Sequence, residues 1–325
     1  LKRYIAGAVV FGLALSACSD STTSTPGVET SPIAPEAEKI SVAASFYPLA
    51  YVAEQVLAGV ADVNVIAAGN VEPHDFELSP SHIATITSSD FAIYIPDFMP
   101  EFDSALSDLA PEQIIDATNE INLLEASHDD EAHDEDAEHD HEEEGHDEDA
   151  EHDHGDADPH LWLNPLNMTT IANQISAVVI AQNPELSETI NTNLNNFKNI
   201  MTDLDNQYQA NLANCKINTL LVSHEAFGYL ADQYGFTQLG ISGVSPEAEP
   251  SPARLAEVAK VANEINATTI YYETIVDPSV ANTLASEIGL VTAVLDPIET
   301  KPENGDYLYA MQENLKAIIL GQGCS

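Results

Sequence analysis

Short apolar runs alternate along this chain with longer segments whose apolar residues recur every three or four positions. Residues 40–46 form a run suited to a buried strand. Pro48 then opens a helical segment with Leu49, Val52, Ala53, Val56 and Leu57 on one face and Gly59 as its stop. Residues 63–67 read as a second strand. Ser79 and Pro80 give a cap and first turn to a helix continued by Ile83 and Ile86, and residues 91–95 are a third strand. Strands alternating with helices imply a parallel sheet.

The same rhythm returns in the second half. Strands are predicted over 219–223, 236–241, 269–272 and 291–295. Helices are predicted over 225–234 (ended by Gly235), after the Ser251-Pro252 cap, after the Asp277-Pro278 cap (ended by Gly289), and over 307–320. Two helices lie between the halves, over 168–182 and 184–212. In the second, Leu186, Ile190, Leu194, Phe197, Met201, Leu204, Tyr208 and Leu212 keep the helical period. At about 1.5 Å per residue it makes a rod of about 40 Å, long enough to run between two domains. Asn crowds its outer face, so packing rather than propensity must hold it. The expected fold is α/β: two Rossmann-like domains with parallel sheets, residues 39–183 and 214–325, joined by an inter-domain helix over 184–213.

One stretch has no such pattern. Residues 128–158 hold seven histidines (His128, His133, His139, His141, His146, His152 and His154) among eighteen Asp and Glu. With no apolar material for a core, the tract within 126–157 reads as a flexible, solvated loop that gathers cations loosely. It supplies 18 of the formal negative charges behind a net −45, leaving −27 for the remainder. Only nine Lys and Arg are present, so nucleic acid and anionic membrane surfaces are poor partners and cations good ones. For the −27 outside the tract, a surface adapted to salty surroundings is the simpler account.

Lys2 and Arg3, then the apolar residues 5–15, resemble a signal segment too short to span a membrane permanently. Leu15-Ser16-Ala17-Cys18 matches a bacterial lipobox, which makes residues 1–18 a lipoprotein signal peptide and Cys18 a lipidated N-terminus; an uncleaved signal anchor is the alternative. Residues 19–38, rich in Ser, Thr and Pro, read as a disordered tether. The chain is thus expected in a periplasm or on a cell surface, touching the membrane through its lipid alone. Outside the cytoplasm Cys215 and Cys324 can persist as a disulfide stapling the C-terminal segment; thiol ligation of a metal is the rival, weakened by the lack of a CxxC pair.

Ligands of open parallel sheets sit outside the carboxyl ends of strands. His74 follows the second strand, His224 directly follows 220–223, and Asp296 directly follows 291–295. His160, flanked by Pro159, Leu161, Trp162 and Leu163, enters from the end of the acidic tract. Three imidazoles and a carboxylate make a plausible tetrahedral zinc shell. Taken singly, a histidine near a strand end is more often a hydrogen-bonded surface or core residue, and Asp296, before Pro297, could be a turn residue. Glu72, Glu225 and Glu273 are candidates to orient an imidazole, or ordinary helix and turn charges. His82 falls in a first helical turn, where a solvated role suffices.

Four stretches carry a resemblance when taken together and in order: 71–77 (VEPHDFE), 158–165 (DPHLWLNP), 222–230 (VSHEAFGYL) and 295–297 (LDP). Over residues 40–325 the chain resembles the zinc/manganese (cluster A-I) substrate-binding proteins of bacterial ABC importers, particularly the zinc-uptake branch. The resemblance implies metal ligation by His74, His160 and His224, with Asp296 at a variable acidic position. It also implies a rigid inter-domain helix, a histidine-rich insertion before the second ligand, Zn²⁺ as transported ion, and an ABC permease with its ATPase as partners of a monomeric receptor. Manganese relatives usually carry Glu where His224 stands; imidazole-rich sites suit zinc independently of the family. Two other readings remain: a metal-buffering lipoprotein without a transporter, and a secreted zinc hydrolase. The second lacks an HExxH motif, a nucleophile elbow and a phosphate loop.

Overall fold

The apolar runs become strands and the periodic segments become helices. The computed structural model describes residues 39–126, 157–244, 246 and 249–325. Cys18, the 1–18 and 19–38 segments and the seven tract histidines lie outside these residues. In the first half, β1 (Ile40–Ala44), β2 (Ala61–Val65), β3 (Phe91–Tyr94) and β4 (Ile114–Asp116) form a parallel sheet of order β2-β1-β3-β4. In the second, β5 (Thr219–Val222), β6 (Thr237–Gly240), β7 (Thr269–Tyr272) and β8 (Val291–Val294) repeat that order as β6-β5-β7-β8, again parallel. Each half has its first strand at the centre and reverses direction beside it, which opens a crevice at the strands' carboxyl ends.

The helices are α1 (Tyr47–Val56), α2 (Pro80–Ser88), α3 (Pro100–Ala105), α4 (Pro165–Gln182), α5 (Ser187–Leu212), α6 (Gly228–Tyr234), α7 (Pro252–Glu264), α8 (Ser279–Ile288) and α9 (Tyr307–Gly321). Proline opens α2, α4 and α7, with Ser79, Asn164 and Ser251 capping them through side-chain oxygens that accept backbone N–H groups. His82 completes the cap of α2: its Nδ1 accepts the Ser79 N–H while its own N–H donates to Ser79 Oγ. Gly235 and Gly289 end α6 and α8 at φ 76° and 75°, in the left-handed region that favours glycine.

The long helix departs slightly from expectation. Residues 184–186 form a 3₁₀ turn, and α5 proper starts at Ser187. Its face Ile190, Phe197, Met201, Leu204, Tyr208 and Leu212 is buried, with Leu186 and Leu194 packed against the same core. The helix expected over 225–234 starts at Gly228; ahead of it, Glu225 N–H donates to Gly243 O and Phe227 N–H to Gln238 Oε1. Two elements went unread in the sequence, α3 and the three-residue edge strand β4, both too short for a period to show.

The larger apolar core runs through both halves, from Val42, Phe46 and Leu49 through Trp162, Phe197 and Tyr208 to Phe227, Tyr271 and Met311, and a second cluster gathers Leu221, Ile241, Val258 and Ile270. Polar tips are matched inside it. Trp162 Nε1–H donates to Pro297 O (2.7 Å), Tyr307 OH to Trp162 O (2.6 Å) and Tyr208 OH to Met311 O (2.6 Å). Trp162, fully buried, thereby ties the segment after the acidic tract to the turn after β8. Cys215 and Cys324 form a disulfide, and Gln322 O accepts the N–H groups of Lys216 and Ile217 beside it.

Candidate metal centre

Four side chains arrive at one point from four different segments. His74 stands in the loop after β2. His160 follows Asp158-Pro159 and precedes a 3₁₀ turn at Leu161–Leu163, whose three residues are buried. His224 lies two residues beyond β5. Glu299 lies beyond β8, after a turn in which Ile298 has φ 61°. A β-branched residue in that region costs energy, so the surroundings must impose it. They do: Asp296 Oδ1 accepts the Ile298 N–H, Asn314 bonds both the N–H and the carbonyl of Asp296, and Trp162 holds Pro297 O.

One ligating atom from each of His74, His160, His224 and Glu299 falls within 4.8 Å of the others. Glu299 Oε1 is the hub, at 3.3 Å from His160 Nε2, 3.7 Å from His224 Nε2 and 3.8 Å from His74 Nε2. The three Nε2 atoms and both Glu299 oxygens are buried without a hydrogen-bond partner. Five unsatisfied polar atoms at one buried point would be costly in an ordinary core. Three nitrogens and a carboxylate are the donor set of a closed tetrahedral zinc shell.

The outer nitrogens are held. His160 Nδ1–H donates to Asp158 Oδ1 (2.7 Å), which also accepts the His160 backbone N–H, and His224 Nδ1–H donates to Glu273 Oε1 (2.6 Å). Ser223 Oγ–H donates to that same Glu273 oxygen. Each carboxylate fixes the tautomer that leaves Nε2 free to ligate and raises its basicity. His74 packs edge-on against Phe98, ring centroids 4.6 Å apart, and its backbone N–H donates to Glu72 Oε1.

Charge is distributed unevenly over the cluster. Burial, and then the neighbouring His160 charge, push His74 down to about 3. Burial also opposes a charge on His160, but the hydrogen bond to Asp158 and the negative charges of Asp158 and Glu299 outweigh it and hold this imidazole up at about 10. Burial would raise Glu299, yet His160, His224 and His74 together keep it below the usual carboxylate range. Burial and the charge of Glu299 push Glu72 upward. Without a cation, the cluster therefore holds its negative charge on Glu299 and a proton on His160.

The structure brings His74, His160 and His224 together, and its fourth member is Glu299 rather than Asp296. The Asp296 carboxylate is occupied in building the turn, with Oδ1 on the Ile298 N–H and Oδ2 3.4 Å from Thr274 Oγ1. Glu273 orients His224, whereas Glu225 pairs with Arg254 (2.7 Å) and accepts the Gly240 N–H. Sequence reasoning missed Glu299, since nothing local marks a residue five positions past a strand end as inward-facing. Asp158 was overlooked as an orienting group although it stands two residues from His160.

Comparison with known proteins agrees with this geometry. Residues 42–320 match the family described as zinc-uptake complex component A, periplasmic (ZnuA). The chain belongs to this family. It is 35% identical over 315 residues to the high-affinity zinc uptake system protein ZnuA of Bacillus subtilis, covering 94% of this chain and 93% of that one. It is 33% identical over 291 residues to the zinc-binding lipoprotein AdcA of Streptococcus pneumoniae strain R6, covering 86% of this chain but 55% of AdcA, so it spans about half the length of that relative. The Zn(II)-bound ZnuA-like domain of Streptococcus pneumoniae AdcA superposes with a TM-score of 0.70 at 30% identity, over 88% of this chain and 99% of that domain. The paired parallel sheets are thus the architecture of the family.

Proposed function

We propose that this chain is a zinc receptor that captures Zn²⁺ outside the cytoplasmic membrane and delivers it to an ABC permease driven by its ATPase. His74, His160, His224 and Glu299 hold the ion. The observation that carries the reading is the convergence of three unpartnered Nε2 atoms on the unpartnered Glu299 carboxylate, all buried. Three imidazoles favour zinc over manganese. A fourth protein ligand closes the shell, which suits a carrier; a hydrolase needs an open position for water.

Around this centre the sequence supports further parts. Cys18 is the lipid anchor, and residues 19–38 the tether. His128, His133, His139, His141, His146, His152 and His154 gather metal near the site. The tract's two ends meet beside it: Asp158 N–H donates to Leu124 O, and Tyr229 OH donates to Asp158 O while accepting the Leu124 N–H. Residues 39–183 and 214–325 serve as two lobes spanned by α5, and the receptor works as a monomer. Among the described residues no helix is long and apolar enough to cross a membrane.

Calorimetric titration of metal-free residues 39–325 with Zn²⁺, beside a version lacking residues 128–157 and with Mn²⁺ as control, tests the reading. One tight zinc site that survives the deletion, with weaker sites that vanish, is expected. Loss of all binding with the tract would leave metal buffering as the better account.

A further inference from the structure

The four donors differ in exposure. The side chains of His160, His224 and Glu299 are 0%, 1% and 0% accessible, whereas His74 is 15% accessible. His74 is therefore the donor whose ring reaches the surface, although its Nε2, like the other donor atoms, is buried. His74 also lines a cavity of about 180 Å³ at the carboxyl ends of β3 and β4. Its walls include Phe98 and Leu161, and its polar groups include Asp97, Asp116, Thr118 and the buried Asp158. The larger groove beside β8 and α9, about 820 Å³, contains none of the four donors.

We propose that this cavity is the vestibule through which zinc reaches His74 and then the buried donors. The inference rests on the receptor reading above. Asp97 stands exposed in the turn after β3, and Asp116 ends β4, its Oδ1 accepting from both the N–H and the hydroxyl of Thr118. Carboxylates at the rim of a low-dielectric cleft focus the field and raise the local cation concentration. Phe98, another lining residue, packs edge-on against the His74 ring, so this donor sits against an apolar wall. The His160 ring lies 5.4 Å from that of His74 and the His224 ring 5.3 Å from that of His160, centroid to centroid, with all three Nε2 atoms converging on Glu299. The cation would pass from the rim to His74 and settle where Glu299 completes the shell.

A route and a binding site separate kinetically. Bulk placed in a passage raises the barrier in both directions and leaves the end states alone. With the full chain, zinc capture and release are followed by stopped flow against a chromophoric chelator, and affinity by equilibrium competition with the same chelator. Thr118→Phe should slow capture and release by a common factor, about tenfold, with affinity held within about twofold; Thr118→Val controls for loss of the hydroxyl. Asp97→Asn combined with Asp116→Asn should slow capture about threefold to tenfold and flatten its dependence on ionic strength. Wild-type rates in Thr118→Phe would overturn the proposal. If that variant fails to fold, capture at the wild-type rate in the double Asn variant overturns it. Absence of a tight zinc site in the unaltered chain would instead defeat the receptor reading.

Discussion

Oδ1 of Asp296 accepts the backbone N–H of Ile298 at 2.7 Å, and the turn so closed sends the next residue, Glu299, into the cluster of imidazoles. In the proposed receptor Asp296 builds the turn that presents Glu299 to the cluster instead of ligating. The two roles respond differently to amide substitution. Asp296→Asn keeps an oxygen that can accept from Ile298, so zinc affinity should fall by no more than about threefold. Glu299→Gln removes the charge at the hub and should weaken binding about 100-fold or more. Equilibrium competition against a zinc chelator measures both, and equal losses would restore Asp296 as a ligand.

Asp158 and Glu273 hold the rings of His160 and His224, and in the proposed receptor they act on the metal through them. Asp158→Asn and Glu273→Gln should each lower zinc affinity about 10- to 100-fold while the melting temperature of the metal-free protein changes little. Proton NMR of the imidazole N–H groups should show the His160 or His224 Nδ1–H signal lost or shifted in the matching variant only.

Gly228 makes the approach of Asp158 possible. A Cβ at this position would lie 2.3 Å from Asp158 Oδ2, so one of the two must move. Gly228→Ala should reproduce much of the Asp158→Asn effect on zinc affinity although residue 228 touches no metal. A fully retained affinity would mean that Asp158 orients His160 from more than one position.

Zinc and protons compete for His160. Its environment raises it to about 10, so near neutral pH the metal-free protein carries a proton on this ring, while ligation requires Nε2 bare. His74, pushed down to about 3, is already neutral. Binding should release about one proton from His160, and affinity should fall about tenfold for each unit of acidification below His160's value. Calorimetry in buffers of different ionisation enthalpy reads the proton directly; no dependence on buffer would contradict the assignment.

The Cys215–Cys324 disulfide closes a separation of 109 residues. In the chain-entropy account its removal by Cys324→Ser should cost about 4–5 kcal/mol of stability. The metal centre lies on other segments, so zinc affinity should stay within about twofold. Denaturant melts with and without reductant check the first expectation and chelator competition the second.

Much of this protein is local, and the local part is what the sequence by itself determined. Strand β7 is found over the predicted residues, and α7 and α8 follow their predicted caps, because apolar runs, prolines and serine caps act within a few residues of themselves. His224 could be singled out because parallel topology places residues just past strand ends at the crevice, His74 because its loop follows β2, and His160 because Trp162 beside it marks buried structure. Glu299 was not legible. Its inward course depends on an isoleucine held at φ 61° by Asp296, and on Trp162 and Asn314, which lie 135 and 18 positions away from the atoms they bind. The same holds for the pairing of Asp158 with His160 and Glu273 with His224, and for which donor faces solvent. Side-chain identity proposes ligands, but the fourth one, the orientation of each ring and the way in are decided only when distant segments pack, because hydrogen bonds and burial depend on what the fold brings within a few ångströms.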